Sequence, residues 1–87
     1  MEDELLDAAF NTYRVLIMNE DPYAMIGERE ASFLIDVTDY PFMDYQKRID
    51  AAIATMETLA EYDHFEKCLD LQEYIKEVKN EIQRLSK

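Results

Sequence analysis

Apolar residues recur through the last helix-length stretch at intervals of 3, 4, 3, 4 and 3: Cys68, Leu71, Ile75, Val78, Ile82 and Leu85. That spacing draws a heptad seam down one face of a helix and predicts one from about residue 64 or 65 to 86. The preceding stretch answers it. Tyr45, Ile49, Ala52, Met56 and Leu59 are spaced 4, 3, 4 and 3, with Ile53 and Ala60 widening the stripe. A helix over about 44–62 follows, with Asp44 as its N-cap and Ala51, Ala52, Ala54 and Ala60 favouring it by propensity. Two facing seams separated by Tyr62-Asp63-His64 describe an antiparallel helical hairpin.

The N-terminal stretch carries the same period. Leu5, Leu6, Ala9, Phe10, Tyr13, Leu16 and Ile17 form a broad stripe, and Glu2-Asp3-Glu4 suits the positive end of a helix dipole. The helix is expected over about 3–19, ended by Asn19-Glu20-Asp21-Pro22. Its breadth predicts packing against the hairpin. Residues 20–43 form an irregular or short-helical connector. There Asp21 caps and Pro22 opens a short helix that Gly27 closes. Phe33, Ile35 and Val37 alternate as a strand would, but a lone strand has no partner in this chain, so a further helical turn over 28–36 is preferred. The expected fold is all-α, in one domain over residues 1–87, with the N-terminal helix packed on the C-terminal hairpin.

Composition supports this pattern and adds one fact to it. A single glycine and two prolines suit helices, and an apolar share of 48% is too high for a disordered tail. No apolar run reaches the roughly 18 residues of a membrane span, and no basic stretch followed by an apolar one marks a secretory leader. One cysteine forms no internal disulfide and fits a reducing cytoplasm, the expected location. The added fact is charge. The chain carries −11, and residues 1–44 hold eleven acidic side chains against only Arg14 and Arg29, whereas acids and bases balance over 65–87. Such a surface repels phosphate, so direct nucleic-acid binding is not expected. It suits a protein partner with a basic surface, or simply solubility. The candidate acidic surface comprises Glu2, Asp3, Glu4, Asp7, Asp36, Asp39 and Asp44.

Reactive chemistry is thin. His64 and Cys68 share a helix face but form only half of a zinc site, and Cys68 lies in the seam, where a thiol is normally buried and inert. Asp36, Asp39 and Asp44 match neither a calcium loop nor an acid/base pair, and Gly27 alone makes no phosphate loop. No catalytic residue, metal or cofactor is expected. Tyr23, Met25, Ile26, Tyr40, Phe42 and Met43 crowd the connector, as core or as an apolar patch among acids. Mixed charges around Glu73, Lys76, Glu77 and Glu81 read as a solvated helix face.

The run from Asp63 to Ile75 resembles the UVR motif of bacterial nucleotide-excision-repair proteins and related stress regulators. Phe65, Glu66, Cys68, Leu69, Leu71 and Ile75 carry the resemblance, which extends from Ile49 onward, while Gln72-Glu73 stands where the family has Arg-Asp. A Tyr/Phe-Glu-Lys-Cys element like Phe65-Glu66-Lys67-Cys68 also recurs in small phage-encoded proteins. The resemblance implies a hairpin that mediates protein–protein contacts and often self-associates. It does not imply repair activity. Two expectations follow. The first is a small acidic regulator or inhibitor, of phage origin and acting in the host cytoplasm, that docks on a larger basic-surfaced protein and competes with nucleic acid there. The second is a homodimeric adaptor joined through Leu71, Ile75, Val78, Ile82 and Leu85.

Overall fold

The computed structural model describes residues 2–29, 32–38 and 40–86. It is all-α: α1 (Glu2–Met18), α2 (Pro22–Arg29), a single 3-10 turn (Tyr40–Phe42), α3 (Tyr45–Glu61) and α4 (Phe65–Leu85). Among the described residues there is no strand. Helices α3 and α4 pack along each other as the hairpin, and α1 lies on it, mainly against α3.

The ends of the hairpin helices have local causes. Asp44 caps α3 by accepting from the Lys47 N–H at 2.8 Å. At the other end Asp63 takes a left-handed backbone, φ 64°. This lets the His64 N–H reach the Leu59 carbonyl at 2.9 Å and the Asp63 N–H reach that of Ala60 at 3.1 Å. These are the two hydrogen bonds of a Schellman closure, with an aspartate in the place that glycine usually fills. Asn19, at φ 56°, turns the chain out of α1 in the same way. Asn and Asp tolerate this conformation better than other residues with a Cβ.

The core joins Leu59 and Leu71, both at 0% exposure, to Val15, Leu16, Ala52 and Cys68. Along the α4 seam Cys68, Leu71 and Val78 are buried, Ile75 and Ile82 are half-buried, and Leu85 is exposed. On α3 Ala60 packs half-buried against the core as expected, but the rest of the widening lies on the other side of the seam. Ile53 is exposed, while Ala51 and Thr55 are at 0%. The physical reason is that α3 has two neighbours. Its seam faces α4, and the adjoining small-residue side is left for α1, whose Ala8, Ala9 and Thr12 are also buried. Thr55 satisfies its hydroxyl on the Ala51 carbonyl at 2.7 Å.

The connector departs from expectation twice. Asp21 does start a helix, with its side chain accepting from the Tyr23 N–H at 3.0 Å, but α2 runs through Gly27 to Arg29. Gly27 has no positive φ and so no closing role. Residues 32–38 form neither the preferred helical turn nor a strand. Their backbone is held by α1 instead. The Thr12 hydroxyl accepts from the Leu34 N–H at 3.0 Å, and the Asn11 amide donates to the Ser32 carbonyl at 3.1 Å. Val37 is thereby seated in the core at 0% exposure.

Two stability outcomes follow. Leu71→Ala should cost about 2–5 kcal/mol in urea unfolding, whereas Leu69→Ala, on the exposed face, should stay within about 0.5 kcal/mol. A Cβ at Gly27 would meet nothing within 4 Å. Gly27→Ala should therefore raise stability by about 0.5–1 kcal/mol, through helix propensity and a less flexible unfolded chain.

Candidate interaction surface

Two depressions meet where α1 turns into α2. The larger, about 420 Å³, lies between the Asn19–Tyr23 corner and the 3-10 turn, with Pro22, Tyr23, Tyr40 and Phe42 among its walls. The second, about 350 Å³, shares Asn19 and Tyr40 with the first and continues to Asp70, Glu73, Tyr74 and Glu77 on α4. Together they form one groove, mostly apolar at one end, where Glu20 and Asp21 edge it, and acidic at the other. Among the described residues no lysine or arginine lines either part.

Its floor is firmly built. The Tyr40 N–H bonds the Val37 carbonyl at 3.0 Å, and the Tyr40 carbonyl accepts from the Met43 N–H at 3.1 Å. The Tyr40 hydroxyl lies 3.1 Å from that of Tyr74. From beneath, the Arg48 guanidinium sits 4.8 Å from the Tyr40 ring centroid and donates to the Tyr40 carbonyl at 3.3 Å. The walls, in contrast, are open to solvent. Phe42 is 90% exposed and Tyr23 62%, with Ile26 also exposed. Met25 is buried and Met43 half-buried, so the aromatic-rich connector divides between core and surface.

Electrostatics sharpen the contrast between the ends. Asp21 is exposed and Glu20 half-buried beside the apolar end, with Arg14 3.8 Å from Glu20. At the acidic end Asp70 accepts from the Tyr13 hydroxyl at 2.6 Å. Glu73 and Glu77 are exposed and make no salt bridge with a described residue. Burial, and then the bond to the Asp70 carboxylate, push the Tyr13 hydroxyl up from 10.0 to about 12. Burial and the bond to Tyr40 raise Tyr74 in the same direction.

The acidic residues singled out in the sequence are dispersed. Glu4 and Asp7 are exposed on α1. Asp36 accepts from both the hydroxyl and the N–H of Thr38, which holds its carboxyl below the usual range. Asp44 is occupied as the α3 cap. The side chains of Glu2 and Asp3, and the whole of Asp39, lie outside the described residues. Other carboxylates share the groove with the aromatics: Glu20 and Asp21 at one end, and Asp70, Glu73 and Glu77 at the other, of which Glu73 and Glu77 read in the sequence as an ordinary solvated face. Their helical spacing was the only signal, and nothing local links them to Tyr40.

The seam residues are mostly enclosed within the chain itself: Leu71 and Val78 by the core, Ile75 and Ile82 in part, leaving Leu85 at 62% exposure. Of the UVR-like positions, Cys68 and Leu71 are buried, Ile75 is half-buried, and Phe65, Glu66 and Leu69 face solvent. Cys68 bonds the Met56 carbonyl at 3.4 Å, and burial pushes its thiol up, away from the reactive thiolate. His64 packs edge-on against Phe10, with centroids 4.9 Å apart. Among the described residues no group of three metal-ligating side chains converges, and no helix is long and apolar enough to cross a membrane. Protein-family models, curated proteins and solved structures contain no significant match to the chain.

The raised tyrosines set a pH dependence. A hydroxyl whose folded pKa exceeds its unfolded value contributes stability that is complete below the unfolded value and is lost as pH rises through the folded one. Stability should therefore fall between pH 10 and about 12. Tyr13→Phe should flatten that fall in urea titrations across the window. An identical slope in the variant would remove the Tyr13–Asp70 bond from the account.

Proposed function

We propose that this chain is a small protein–protein interaction module that docks on a basic-surfaced partner through the Tyr23–Phe42 groove. The observation that carries the reading is Phe42, a large aromatic left 90% exposed on a rigidly held turn beside a ready-made depression. Exposed aromatics around a pocket, ringed by polar groups, are the usual build of a binding hot spot. The net charge of −11 supplies long-range attraction to a basic surface and repels nucleic acid. A regulator or inhibitor that occupies a partner's nucleic-acid-binding surface fits both features. The UVR-like hairpin and the phage-like Phe65-Glu66-Lys67-Cys68 element agree with such a role in a host cytoplasm.

The homodimeric adaptor is favoured by one observation, the exposed Leu85 beside the half-buried Ile82 at the free end of α4. It loses support from the burial of Leu71 and Val78 within a single chain. Light scattering at micromolar concentration separates the two readings. A monomer is expected, and Val78→Asp with Ile82→Asp should unfold it. A dimer that the double change converts into a folded monomer would favour the adaptor.

The docking reading is tested on the partner purified from source cells with the tagged chain. Phe42→Ala and Tyr23→Ala should each weaken binding about tenfold or more, which is about 1.4 kcal/mol. Raising salt should weaken it further, and the partner's nucleic acid should compete with the chain. Binding that ignores both substitutions would overturn the groove as the docking site.

A further inference from the structure

The groove's two ends differ in chemistry, and that difference defines an occupant more narrowly than "a basic partner". Beside Tyr23, Tyr40 and Phe42 the walls are aromatic and able to hold a bulky apolar side chain. Past Asn19 and Tyr40 the wall becomes α4, with Asp70, Glu73 and Glu77 at intervals of three and four residues. Positions so spaced share one helix face and rise about 10 Å from first to last. Asp70 is bound by Tyr13, but Glu73 and Glu77 are exposed and make no salt bridge with a described residue.

Resting on the docking reading above, we infer that the groove takes a single linear segment of the partner, with a bulky apolar anchor followed by at least two lysines or arginines. The anchor sits between Tyr23 and Phe42, and the basic side chains lie along Glu73 and Glu77. The carboxylate-lined end sets where the anchor sits. The aromatic end, edged by Glu20 and Asp21, would accept a cation too, so the constraint comes from the other end, where a bulky apolar group would lie among Asp70, Glu73 and Glu77. Neither end needs to be assembled on binding, because Tyr40, which with Asn19 is common to both, is already pinned by Tyr74, Arg48 and its own turn. Long-range charge brings the segment in, and the anchor holds it.

Selection from a library of random peptides of about twelve residues, long enough to cover both ends, tests this on the intact chain. The wild type should enrich peptides with an apolar residue followed on one side by lysine or arginine. Glu73→Gln with Glu77→Gln should keep the apolar anchor and lose the basic enrichment. Phe42→Ala should do the reverse. All three side chains are exposed, and circular dichroism matching the wild type confirms that the variants fold. Neutral or acidic peptides, no enrichment at all, or the same basic enrichment in the Glu73/Glu77 variant would each overturn the inference. Assay of the purified partner keeps the two claims apart. A partner that depends on Phe42 but not on Glu73 and Glu77 leaves the docking reading standing and removes this one. A partner indifferent to Phe42 removes both.

Discussion

The structure depends on the closing of the α3–α4 hairpin at Tyr62-Asp63-His64. The left-handed Asp63 folds the chain back so that Leu59 and Leu71, on opposite sides of the turn, both reach zero exposure. A buried leucine contributes roughly 1.5–3 kcal/mol. In a chain of this length a few such residues are a large share of the total stability. Once the hairpin forms, the small-residue side of α3 is available to α1. Thr12 on α1 in turn anchors Leu34, which fixes residues 32–38 and seats Val37. The groove is the last consequence in this sequence, because the Tyr40 N–H bonds the carbonyl of the seated Val37.

Most of the helical framework was legible because its causes are local. The heptad spacing of α4, the Asp44 cap, the Asp21-Pro22 start and the 62–64 break each depend on residues a few positions apart, and each lies where the pattern put it. The illegible parts have distant causes. Residues 32–38 are neither helix nor strand because their hydrogen-bond partners are Asn11 and Thr12, more than twenty positions away. Ile53 is exposed where burial was expected, and Thr55 is buried, because α1 approaches a face that α3's own sequence does not mark. Gly27 suggested a helix end, but a glycine that keeps negative φ ends nothing.

The same division applies to the candidate site. The aromatic richness of the connector was visible, but which rings face solvent was not, since burial of Met25 and exposure of Tyr23 follow from how α2 sits. The total charge was visible, but its working geometry was not. Asp36 and Asp44 serve local turns and caps, while Glu73 and Glu77, on the charge-balanced last helix, border the groove. Net charge over a stretch of sequence is therefore a poor guide to which carboxylates the fold gathers around a groove. The potential near a docking face is set by the side chains that fold brings together.

On the proposed docking mode, the partner covers the Tyr23–Phe42 groove. Oxidative footprinting of the free chain and of its purified complex reads this directly, because exposed aromatics are modified in proportion to their accessibility. Tyr23 and Phe42 should become protected in the complex while Phe65, about as open to solvent as Tyr23, stays reactive at the start of α4. Protection of Phe65 and Leu69 with Tyr23 and Phe42 unchanged would contradict it and place the partner on the hairpin instead.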